Sequence, residues 1–71
     1  MKNLTQKQRV LAFLITGQKL TRLTAWTDLG ILEAPARILE LRREGHQIKT
    51  TMVPVHNRFG EIVRIAEWSV V

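Results

Sequence analysis

Apolar positions recur with a period near 3.6 through residues 5–44, then give way to β-branched, extended-looking chain over residues 48–70. That single change of period divides the sequence into three helices and a hairpin. Thr5-Gln6-Lys7-Gln8 fits a capping box, so the first helix is expected over about 5–16. Val10, Leu11, Phe13 and Leu14 form its apolar stripe, and Gly17 is placed to stop it in the left-handed region. Thr21 can cap a short second helix over 22–29, with Ala25, Trp26 and Leu29 on its inward side and Gly30 at its end. On this reading Trp26 belongs to the core.

A third helix is expected over 32–44. Pro35 lacks an amide and is tolerated only in the first turn, which places the start between about Ile31 and Glu33. Ala34, Ile38 and Leu41 share its inward face, and Gly45 ends it. Beyond it, Thr50, Thr51, Val53 and Val55 precede Asn57-Arg58-Phe59-Gly60, and Ile62, Val63 and Ile65 follow. Two extended runs around a loop containing Asn and Gly predict a β-hairpin, with strands at about 48–56 and 61–70. Pro54 cannot donate to a ladder, so its strand is expected at an edge. Trp68 and Val70 are expected to bring the second strand over the helices. Both alternating side-chain sets of the hairpin contain apolar residues and loop length shifts the register, which leaves open which set faces inward.

Length and charge narrow the function. With 71 residues there is room for one domain, here expected to span 1–71. There is no cysteine, hence no disulfide framework or thiolate metal site. Eleven Lys and Arg against six Asp and Glu leave a net charge of +5. Such an excess favours polyanionic partners, although charge alone reads no sequence. No signal-peptide core or membrane-length apolar run is present, so a cytoplasmic protein with no membrane partner is expected. His46 and His56 have no further ligand at metal spacing, and no phosphate loop, nucleophile elbow or zinc-protease motif occurs. The expectation is therefore no enzyme, no metal and no cofactor.

Two helices joined through Leu29-Gly30-Ile31 fit a helix-turn-helix, and the hairpin after the second of them fits a wing. Residues 19–71 resemble the small winged helix-turn-helix domains common in bacteriophage and prophage genes. The resemblance is carried by Leu20-Thr21, Leu29-Gly30-Ile31, Ala36-Arg37-Ile38 with Leu41-Arg42 and Gly45, and Asn57-Arg58-Phe59-Gly60. It implies an α+β fold and a non-enzymatic, sequence-reading protein that binds double-stranded DNA. Helix three would enter the major groove, with the wing on the backbone or minor groove. The candidate contacts are Arg22 at the start of the second helix, Arg37 and Arg43 on the third, Arg58 at the loop tip, and Lys49 and Arg64 along the strands. Lys2, Lys7 and Arg9 read instead as a solvated basic face, and Arg42 as a side chain bonding the carbonyls at the end of its own helix. One module makes a modest interface, which favours self-association or cooperative binding. The alternative, kept alive by Glu33, Glu40 and Glu44 on the third helix, is a module that binds a host or phage protein.

Overall fold

The computed structural model describes residues 4–71. In chain order it contains α1 (Gln6–Ile15), β1 (Leu20–Thr21), α2 (Arg22–Leu29), α3 (Ala34–Arg43), β2 (Ile48–His56) and β3 (Ile62–Val70). This is a three-helix, three-strand α+β arrangement with an antiparallel sheet in the order β1-β3-β2.

Local chemistry sets each helix boundary. The capping box at α1 is complete: Thr5 Oγ1 accepts from the Gln8 amide at 3.1 Å, and the Thr5 amide donates to Gln8 Oε1 at 2.8 Å. Thr21 caps α2 through the Thr24 amide. Gly30 ends α2 at φ 68°, where the Ile31 amide reaches back to the Ala25 carbonyl at 2.9 Å. Helix α3 starts at Ala34, slightly later than expected. Glu33 provides no side-chain cap, and Pro35 sits inside the first turn, where its missing amide costs no hydrogen bond.

The core gathers Val10 and Leu14 of α1, Leu20 of β1, Ala25 of α2, Ile31 of the turn, Ala34, Ile38 and Leu41 of α3, Ile48 of β2 and Trp68 of β3. Strand β1 has no separate hydrophobic period, because two residues are too few to show one. It pairs Leu20 with Trp68 and so ties the chain between α1 and α2 to the far end of the hairpin. Pro54 does lie on an edge strand, and Trp68 does bring β3 over the helices.

Trp26 departs from expectation. It is 52% exposed, while Trp68 is 6% exposed. Ala25 occupies the buried position of α2, and a neighbour 100° round a short helix cannot share it.

The hairpin resolves the question of which face turns inward. Its ladder runs without a bulge from Ile48–Val70 to His56–Ile62. Near the helices, the set containing Ile48, Trp68 and Val70 packs on the core. Farther out, Val55 and Ile65, which belong to the opposite set, line a cleft against α2. A two-stranded ribbon twists strongly, so the inward role passes from one set to the other along its length. Each set thus carries apolar residues where it faces protein: Ile48, Trp68 and Val70 in the inner half, Val55 and Ile65 in the outer.

Candidate nucleic-acid interface

The wing tip is built by Asn57. Its side-chain Oδ1 accepts from the amides of Phe59 at 2.9 Å and Glu61 at 3.0 Å, and its Nδ2 donates to Glu61 Oε1 at 2.9 Å. The Gly60 amide closes the turn on the Asn57 carbonyl at 3.0 Å, and Gly60 takes φ 78°. Arg58 and Phe59 are therefore held out on an ordered turn, Phe59 at 79% exposure. The side-chain signature of an Asx turn was present in the sequence at Asn57, although only the loop as a whole was read from it.

On α3 the arginines separate into three environments. Arg37 is half-buried, with Nε 3.1 Å from Glu40 Oε1, an ion pair in which the N–H is not aligned on the oxygen. Arg42 is committed to structure, but its acceptors differ from the helix-end carbonyls expected. Its Nε and one terminal nitrogen donate to the Ile48 carbonyl at 3.0 and 2.7 Å, and the same nitrogen reaches Thr50 Oγ1 at 2.8 Å. It thereby fastens α3 to β2. Arg43, one residue on, is exposed and bonds no described residue. The helical offset between Arg37 and Arg43 puts them about 120° apart, so they do not share a face.

Two cations read as merely solvated are also committed. Lys7 of α1 pairs with Glu44 beyond the end of α3. The hydrogen bond that Lys7 donates to Glu44, aided by the charges of Glu44 and Glu40, holds the Lys7 ammonium above its ordinary range, while desolvation and, more weakly, nearby Arg37 oppose the shift. Arg9 donates to the Leu29 carbonyl at 2.7 Å and to the Leu4 carbonyl at 3.3 Å. It brings a positive charge to the C-terminal end of α2, whose last turn has no basic residue. Side-chain reach between elements leaves no periodic signal, which is why sequence reading missed both. Lys2 lies outside the described residues.

The consequence for α3 is electrostatic. Glu40 is matched by Arg37 and Glu44 by Lys7, so two of the three carboxylates that would repel phosphate are compensated, while Glu33, at the N-cap of α3, has no ion pair among the described residues. Arg22, Arg43, Lys49, Arg58 and Arg64 are all exposed, and none makes an ion pair or side-chain hydrogen bond with the described residues. They are not one cluster. Lys49 pairs with Ser69 and Arg64 with Pro54, on opposite faces of the ladder and five residues apart along it. Arg22 lies at the start of α2 and lines the cleft with Val55 and Ile65.

Among the described residues no group of three or more His, Cys, Asp or Glu could hold a metal ion. His46 precedes β2 and His56 ends it, which keeps the two histidines apart. No helix among the described residues is long and apolar enough to cross a membrane.

The helix-turn-helix of α2 and α3, with the β2–β3 hairpin as its wing, defines a class, and comparison with known families gives the same result. The family model described as a winged helix-turn-helix domain matches residues 5–71, and the chain belongs to that family. Neither a curated protein nor a solved structure matches it. Such domains are typically non-enzymatic DNA-binding modules, so DNA is the partner that family membership indicates.

Proposed function

We propose that this protein is a sequence-reading regulator or architectural factor of phage or prophage type. In this reading α3 lies in the major groove of duplex DNA and the wing lies on the backbone or minor groove. The observation that carries it is the pairing pattern on and around α3. Acidic Glu40 and Glu44 are neutralised by Arg37 and Lys7, while Arg43 on α3 and Arg58 on the wing tip remain exposed and unengaged by described residues. An unengaged guanidinium can fork onto guanine O6 and N7 or clamp a phosphate. Arg22, Lys49 and Arg64 supply further phosphate contacts, and Arg37 contributes by cancelling Glu40 as much as by touching DNA. The 71-residue chain acts as one cytoplasmic domain and needs no cofactor. Two copies bound side by side would enlarge the modest interface of one module.

The test is binding of duplex fragments from the protein's own genomic locus, measured by fluorescence anisotropy for wild type and for Arg43→Ala with Arg58→Ala. Wild type should bind. The double variant should keep its circular dichroism spectrum and bind about ten-fold more weakly for each arginine that contacts a base. Equal binding by both proteins would remove α3 and the wing from the interface.

A further inference from the structure

An open, apolar cleft of about 470 Å³ lies between α2, the turn into α3 and the outer half of the wing. Leu23 and Trp26 of α2, Ile31 and Leu32 of the turn, Val55 of β2 and Ile65 of β3 line it, and Arg22 is its one charged lining residue. Leu23 is 67% exposed and Leu32 63%, so these side chains stand in solvent rather than closing over one another. Val53 and Val63, cross-strand partners of Ile65 and Val55, continue the aliphatic surface along the same face of the wing. Contiguous exposed apolar surface of this kind marks an interaction site rather than ordinary scatter. Neither groove reading nor phosphate contact uses an apolar surface at α2.

We propose that this cleft binds an amphipathic helix of a partner protein, with apolar side chains at successive turns and carboxylates beside them. Three features select this occupant. The cleft is open rather than enclosed, so it suits a segment laid across it better than a small ligand that needs burial on all sides. Its lining offers several aliphatic and aromatic side chains, which match anchors at i, i+3, i+4 and i+7. Its one charge, Arg22, has no partner among the described residues, and the chain as a whole carries +5, so an acidic flank is complementary and a basic one is repelled. A second copy of this chain would bring the same positive charge to the contact.

Trp26 makes the test direct, because it lines the cleft while Trp68 is enclosed in the core. Two synthetic helical peptides of about 16 residues, long enough to present all four anchors on one face, are titrated into the full chain while tryptophan emission is followed. Both carry leucine at i, i+3, i+4 and i+7; one has glutamate and the other lysine at the remaining positions. Sodium decanoate forms a third arm. The glutamate peptide should give a saturable blue shift and bind at least about ten-fold tighter than the lysine peptide. Leu23→Gln, a change at an exposed position, should weaken it about ten-fold, and Trp26→Phe should abolish the shift. Arg43→Ala lies outside the cleft and should leave peptide binding unchanged, which distinguishes this site from the proposed DNA contacts on α3 and the wing tip; Arg22 alone is common to the cleft and the proposed DNA contacts. Equal affinity for the two peptides, no binding of either, or a saturable shift with decanoate alone would overturn the proposal.

Discussion

The two halves of the wing hairpin share one continuous ladder and differ in almost everything else. In the half beside the helices, Ile48 and Trp68 are buried, Val70 packs on the core, and Arg42 ties the Ile48 carbonyl to α3. In the outer half nothing is buried: Val55 and Ile65 line an open cleft, and Arg58 and Phe59 project from a turn held by Asn57. The inner half spends its apolar residues on stability. The outer half leaves them, and its arginines, exposed. Backbone pairing therefore carries rigidity outward from the core while the side chains change their task.

The two tryptophans give the sharpest way to break that comparison. Trp68→Ala should cost about 3–5 kcal/mol in urea unfolding, enough to leave so small a domain largely unfolded. Trp26→Ala should cost within about 1 kcal/mol, because half of its surface already faces water. Equal losses would mean that the outer surface is part of the core after all.

The adjacent arginines of α3 make a second, smaller contrast. Arg42→Ala leaves the Ile48 carbonyl without its side-chain donors, at a cost of about 1–3 kcal/mol. Arg43→Ala should stay within about 0.5 kcal/mol of wild type. Thermal unfolding of both variants measures the difference.

Smallest is the Lys7–Glu44 pair, which joins α1 to the end of α3. The folded-state pKa of Lys7 lies above the ordinary 10.5, so the pair stabilises the fold at neutral pH, and that stabilisation disappears as pH rises past the folded value. A pH series of urea unfolding curves should show wild type losing its advantage over Glu44→Gln in alkaline solution. An unchanged advantage there would show that the pair does not contribute through Lys7 ionisation.

Much of this architecture was legible because it rests on local chemistry. Thr5 with Gln8, Thr21, Gly30 and Pro35 each act within a few residues of themselves, and they place the helices to within a residue or two. The tertiary pairings were not legible in this way. Arg9 bonds a carbonyl twenty positions away and Lys7 a carboxylate thirty-seven away, and neither leaves a pattern in the chain. Trp26 misled for a related reason. On eight-residue α2 the inward side is held by Ala25 and, one turn on, Leu29, and periodicity could not tell that Trp26, beside Ala25, would fall outside it. The wing's doubly apolar pattern was visible, but the twist that explains it exists only in three dimensions.

Ionic strength is the most direct probe of whether this surface engages a duplex. If the exposed Arg22, Arg43, Lys49, Arg58 and Arg64 neutralise about five phosphates, log K plotted against log[salt] should fall with a slope of roughly −4 to −5. In the variant carrying Arg43→Ala and Arg58→Ala the slope should become shallower by about one for each phosphate that is no longer neutralised. A wild-type slope near zero would contradict binding of DNA through these cations.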